Sequence, residues 1–294
     1  MTWIRLNRKY IVRLTNRWTS RIFALLGFIA IFAPLSGLLK IRKSVSCRIF
    51  ASIAILIIVW LISFLVCCIY VRLKRRIAIL ELNGGNHVYV QYGDIFSSDV
   101  VLNPQKRRNV VIAVNRCFDT LIDDDLIATN SLHGLAMTRL YENGLYDSNS
   151  LNATIQENLR LQQIQYETIS RENKRKGNLK MYPVGTVAEV TATPNCKYFF
   201  LGLTVMDKNL KTSVSEEDYL IALMRLLEFC NDRAQTFPVV IPLIGAGLSR
   251  TGKSDQEILS YLATFIKMHK DHFHGDVHIV VREKDKKRIA ITNL

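Results

Sequence analysis

Residues 242–252 read PLIGAGLSRTG and lie between a β-branched run, FPVVI, and a helical pattern that starts near Ser254. Glycines at 245 and 247 open backbone angles closed to other residues and let main-chain N–H groups face a phosphate. The N-terminus of the following helix adds a favourable dipole. Ser249 and Arg250 supply a hydroxyl and a positive charge. A second stretch, NVVIAVN, is a β-branched run ending at Asn115, whose side chain both donates and accepts hydrogen bonds. A third, YGDIF, carries Asp94 and Ile95; read alone, a lone Asp of this kind more commonly caps a turn than meets a ligand. His133 precedes Gly134 at a helix start, where a structural role competes with a ligand role. Asp123, Asp124 and Asp125 are consecutive carboxylates that cannot all converge on one ion without a twist, so a solvated loop is expected rather than a metal site.

The elements that must hold these residues form a series. A Gly-Gly break at Gly84 and Gly85 precedes an alternating strand over 87–92, and 109–114 reads as a strand buried on both faces. Residues 115–133 have no steady period and read as a loop, followed by a short helix over 134–141. The polar segment 151–176, ending in RENKRKG, reads as helix with an exposed face. Strands are expected at 184–190, 197–206, 237–243 and 276–282. Ser213 with Glu216 gives a capping-box signature for a helix to about Arg233, and the helix over 254–270 places Ile258, Leu259, Leu262 and Ile266 on one face. Strands alternating with helices predict an α/β sheet covered on both faces, whose ligand site lies beyond the carboxyl ends of the strands.

Charge divides the chain. Of 39 Lys and Arg residues, 14 fall within residues 1–76, which contain no Asp or Glu, leaving 25 basic against 25 acidic residues downstream. The net charge of +14 therefore belongs to a basic head on a neutral domain, which argues against a nucleic-acid partner. Residues 49–71 are uncharged, and at about 1.5 Å per residue such a helix covers a hydrocarbon core of about 30 Å. Residues 22–39 are a shorter uncharged stretch with Pro34 and Gly37 near its end, expected as a first span. Six basic residues precede this stretch and four follow the second, against four between them, so both termini are expected in the cytoplasm, with a multi-pass inner-membrane location. The domain boundaries so read are 1–76 and 77–294. The six cysteines show no CxxC pair and suit a reducing compartment.

Taken together, the GDI turn, the buried strand ending in Asn115 and the strand leading into PLIGAG resemble the macro domain, an ADP-ribose-binding module. The resemblance covers residues 83–290 and implies a macro-like α/β/α sandwich. It implies Asp94 at the adenine amine with the Ile95 backbone beside it, and Asn115 at the distal ribose. Gly245, Ala246, Gly247, Leu248 and Ser249 would wrap the diphosphate, with Arg250 nearby. The chain departs from the family after Asn115, reading Arg116, Cys117 and Phe118 before a long insertion. Ser131, Leu132, His133 and Gly134 are the expected counterpart of the family's glycine loop. The residues with which macro-type hydrolases orient water are not recognisable, so binding without turnover, and no cofactor, is expected. A two-span hairpin joined to such a domain is similar in architecture to membrane effectors of Thoeris anti-phage defence. That likeness implies sensing of an ADP-ribose derivative made by a TIR-domain partner. It further implies homo-oligomerisation and disruption of the lipid bilayer, as in abortive infection. A membrane-tethered ADP-ribosyl hydrolase or NAD-cleaving enzyme and a non-binding membrane scaffold are the alternatives.

Overall fold

The computed structural model describes residues 2–32, 45–245 and 254–294. These form two compact units, one over residues 1–75 and one over 76–292.

The first unit holds α1 (Thr2–Phe32) and α2 (Val45–Leu73). Ile11 of α1 packs with Cys67 and Val71 of α2, and the Trp60 indole donates to Asn16 Oδ1 at 2.9 Å. The two helices are therefore antiparallel. Among the described residues one helical stretch, Ser52–Leu73, is long and apolar enough to cross a bilayer. The expected multi-pass arrangement is not supported. Residues 22–32 of the expected first span continue α1, and its remaining residues, 33–39, lie outside the described residues. The register also differs from a simple two-span hairpin. The contacts of Ile11 and Asn16 set the basic half of α1, with Arg13 and Arg17 exposed, beside the apolar part of α2 rather than beyond its end.

The second unit is a three-layer α/β/α sandwich. Its strands are β1 (Arg76–Glu81), β2 (His87–Tyr92), β3 (Arg108–Asn115), the short pair β4 (Glu167–Thr168) and β5 (Lys180–Met181), β6 (Val187–Thr193), β7 (Cys196–Met206), β8 (Thr212–Ser213), β9 (Val239–Pro242) and β10 (Val277–Val281). The main sheet has the order β1-β2-β10-β9-β3-β7-β6, with β8 pairing β7. Strands β2, β10, β9, β3 and β7 run parallel, while β1, β6 and β8 add antiparallel edges. Unbroken apolar runs in the central strands follow from burial on both faces. In β7, Phe199, Leu201 and Leu203 face one core, and Tyr198 and Phe200 face the other.

The helices α3 (Leu132–Glu142) and α4 (Ser148–Leu161) pack Met137, Leu140, Leu151 and Ile155 onto one face. On the opposite face, α5 (Glu216–Arg233) and α6 (Asp255–Met268) contribute Leu223, Leu226, Leu259 and Leu262. Ser254 caps α6 with a reciprocal bond to Glu257, as its spacing requires.

Four local expectations are corrected. Arg76, placed with the basic flank, instead opens β1 and bonds to Gln91 of β2. The cap of α5 is Ser215, which accepts from the Asp218 N–H at 3.0 Å, because Thr212–Ser213 is taken up in pairing with β7. The strand expected at 184–190 is displaced to Val187–Thr193, since the chain turns through Pro183 and Gly185. The helix expected over 151–176 ends at Leu161, where Gln163 takes a φ of 57°. Lys174, inside the charged run, is fully buried.

Candidate functional site

Beyond the carboxyl ends of β3, β7, β9 and β10 lies a cleft of about 600 Å³. Its floor is set by strand ends: Asn115 from β3, Thr204 and Met206 from β7, Pro242 from β9 and Val281 from β10. One wall is the loop Leu126, Ile127 and Ala128 running into the start of α3, and the other carries Leu243, Ile244 and Gly245. A parallel sheet opens such a crevice where neighbouring strands leave in opposite directions.

Asn115 is 3% exposed. Its Oδ1 accepts the N–H groups of Cys117 (3.0 Å) and Asp119 (3.5 Å), while its Nδ2 has no partner. Ser131 caps α3: its Oγ accepts the Gly134 N–H at 2.9 Å and donates to the Ala128 carbonyl at 2.7 Å. A Cβ at 134 would run into that carbonyl, so only glycine lets the helix start so close to the loop. Gly134 thus supports the wall without lining it. Ser131, Leu132 and His133 do line it. The N-terminus of α3, with the positive end of its dipole, is part of this wall.

His133 is buried and bonded to the Asp119 backbone, and burial pushes its imidazole down to about 3, so it is neutral at neutral pH. On the opposite wall, Tyr219 donates to the Ile244 carbonyl at 3.1 Å and holds the chain that enters Gly245, where φ is 90°. Ala246, Gly247, Leu248, Ser249 and Arg250 lie outside the described residues.

Ile95 is buried and lines the cleft, whereas Asp94 does not reach its wall. Asp94 Oδ1 accepts the Phe96 N–H at 3.0 Å in a local turn, and Oδ2 pairs with exposed Arg139 at 3.3 Å. The carboxylate is therefore held by its own turn and by Arg139 of α3.

Sequence reasoning missed the basic edge. Lys211, Arg282 and Lys284 line the cleft together with Asp285, whose carboxylate bonds to Arg282 (2.8 Å) and Arg288 (2.5 Å). Burial raises the Asp285 pKa, but these two guanidinium groups outweigh it and hold the carboxyl below its usual range. The position just past β10 was the available signal, since it obeys the same strand-end rule that singled out Asn115. Asp124 and Asp125 also line the cleft. Asp124 accepts the Thr129 N–H (2.8 Å) and hydroxyl (2.9 Å), which lower its pKa. Among the described residues no cluster of His, Cys, Asp or Glu is arranged to hold a metal ion.

The family model for the macro domain of Thoeris protein ThsA matches residues 88–282, from β2 to the end of β10. Thoeris protein ThsA of Bacillus amyloliquefaciens (strain Y2) is 28% identical over 254 residues, covering 84% of this chain and 79% of that protein. The Oceanobacillus iheyensis macrodomain with ADP is 12% identical, with a TM-score of 0.45 over 73% of this chain and 93% of that one. A glycine-to-valine mutant of that macrodomain with ADPR is 14% identical, with a TM-score of 0.45 over 72% and 92%. The structural likenesses at this level carry no part of the assignment, which rests on the family match over most of the chain. This protein belongs to the Thoeris ThsA macro-domain family.

Proposed function

We propose that the second unit senses an ADP-ribose-type nucleotide made by a TIR-domain partner, and that its occupancy drives self-association and membrane disruption in anti-phage defence. The observation that carries the reading is the cleft itself. It joins a helix N-terminus, a glycine-bearing strand exit, a basic edge and the Asn115 side chain around a space of about 600 Å³. Anionic and hydroxyl-bearing ligands suit that lining. Because a ligand biases assembly only through differential affinity for the assembled form, the nucleotide must bind that form more tightly.

Binding without turnover is the form of the reading we favour. Each carboxylate lining the cleft is engaged: Asp124 by Thr129, Asp125 by Arg175 at 3.6 Å, and Asp285 by Arg282 and Arg288. For Asp124 and Asp285 those partners lower the carboxyl pKa, away from the neutral range that suits a general base. Calorimetry on the full-length protein with ADP-ribose is expected to give saturable, stoichiometric binding with no product, and Gly245→Val is expected to abolish it. No heat with either ADP-ribose or NAD would sink the sensor reading. Steady release of ADP-ribose from NAD or an ADP-ribosylated protein would replace it with an enzyme.

A further inference from the structure

The main sheet ends at β6 on one side and at β1 on the other, and the two edges are treated differently. An edge strand presents unpaired N–H and C=O groups that take up another strand unless something covers them. At β6, α4 covers them: Asn158 Oδ1 accepts the Glu189 N–H at 2.9 Å, and Gln162 Nε2 donates to the Val187 carbonyl at 3.1 Å. At the opposite edge, β1 pairs with β2, and among the described residues no other main-chain hydrogen bond reaches it. β1 carries no proline, glycine or lysine. Its guard is a shift in register between Ala78 and Leu80, which bends the strand without covering it. Ala78 and Glu81 are exposed, as is Arg75 just before the strand. Among the described residues neither Arg75 nor Glu81 has an ion-pair partner.

Resting on the self-association in the reading above, we infer that β1 is the surface through which two copies of this chain pair, edge to edge and antiparallel. The stretch RRIAILE, residues 75–81, is complementary to itself. Arg75 and Glu81 are equally spaced on either side of Ala78, so antiparallel pairing centred on Ala78 sets each copy's Glu81 opposite the other's Arg75. Opposite charges facing each other across strands stabilise the ladder, and the side chain at the axis is small enough to meet its own copy. This two-fold contact uses the open edge of both copies. Because the β6 edges are covered, pairing through sheet edges stops at two copies and does not run on into a fibre. A strand of 6 residues makes a smaller interface than complexes that are stable in solution. The membrane supplies what is missing: α2 ends at Leu73 and β1 begins at Arg76, so chains confined to one bilayer by their apolar helices present this edge at high effective concentration.

The test uses full-length protein in liposomes of phosphatidylethanolamine and phosphatidylglycerol, with ADP-ribose added, and reads cysteine cross-linking. Directly opposed Cα atoms in an antiparallel pair stand about 4.5–5.5 Å apart, within reach of a disulfide. Ala78→Cys is expected to give a disulfide-linked dimer above the wild-type background on mild oxidation. Thr191→Cys, exposed on the covered β6 edge, is expected to stay at that background. Glu81→Lys sets like charges against each other at both ends of the pairing and is expected to lower the Ala78→Cys cross-link about tenfold. Adding Arg75→Glu exchanges the two charges and is expected to restore it. An Ala78→Cys cross-link at background, or one indifferent to Glu81→Lys, overturns the inference. If wild-type protein still associates with ADP-ribose in that case, by lysine cross-linking, the self-association reading stands through another surface. A wild-type protein that stays monomeric with ADP-ribose removes both.

Discussion

Asp119 organises more of the site than any residue that touches the cleft. Its backbone orients Asn115 and His133, and its side chain pairs with Lys174 at 2.6 Å, with the two side chains 1% and 0% exposed. Lys174 also donates to the Asn178 carbonyl at 2.8 Å, and the Asn178 N–H donates to Asp119 Oδ1 at 2.6 Å. Gly177 permits this closeness: its φ is 83°, and a Cβ there would strike the Asp119 carboxylate. Removing one partner of a buried pair strands the other charge, so Lys174→Met is expected to cost about 3–5 kcal/mol. The loss is read as a shift in urea midpoint of the full-length protein. A change below about 1 kcal/mol would show that the carboxylate relaxes into solvent. This pair was invisible in the sequence. RENKRKG has the composition of a solvated face, and nothing local marks one lysine of the run as buried when its partner lies 55 residues away.

At the scale of elements, α3 does two things: it closes one core through Met137 and Leu140, and it aims its N-terminus at the cleft. Ser131 couples them. Ser131→Ala removes the acceptor of the Gly134 N–H and is expected to cost about 1 kcal/mol in stability. It should also weaken ADP-ribose, because fraying of the first turn disperses the N–H groups and their dipole. Loss of stability with unchanged affinity would place the anion elsewhere. The ends of β3 and β9 were legible in the sequence, because β-branched runs are local signals, whereas the helix read from Gly134 starts two residues earlier, capped by Ser131. What local signals do not encode is pairing. RIAILE continues a basic flank in sequence, yet becomes β1 because β2 offers it an open edge. Residues 162–180 carry helical composition but are held by Asp119 and the β4 and β5 pairing instead. The basic edge at Arg282 and Lys284 differs: its place just past β10 was a local signal, and pairing with β2 and β9 is what brings that strand end to the cleft.

For the second unit as a whole, two buried histidines set the acid limit of stability. His133 and His278 are each pushed down to about 3, in both cases chiefly by burial. His278 stacks on Tyr89 at 5.1 Å with neither ring nitrogen partnered, and the Arg76 charge opposes its protonation further. The unfolded chain protonates both near pH 6.5, whereas the folded unit keeps both neutral. Above that pH neither state binds the protons, and stability is at its full value. As pH falls below 6.5 the unfolded state takes up protons that the folded state refuses, so stability drops by up to about 1.4 kcal/mol per pH unit for each histidine. By pH 5 the two together are expected to remove about 4 kcal/mol, and the loss continues toward pH 3. The carboxylates Asp123, Asp124 and Asp285, whose folded pKa values are lowered, act later, because their contribution is present above their unfolded pKa near 3.8. The interval from pH 6.5 to 5 thus isolates the imidazoles. The three tryptophans, Trp3, Trp18 and Trp60, all belong to the first unit, so their fluorescence does not follow this transition. Urea unfolding of the full-length protein is better read by pulsed hydrogen exchange in peptides covering β3 and β10. His278→Phe, which keeps the stack on Tyr89 without a titrating group, is expected to halve the pH slope between 6.5 and 5. A wild-type midpoint that stays level across that interval would mean that the folded unit admits the protons and that burial does not hold these two imidazoles neutral.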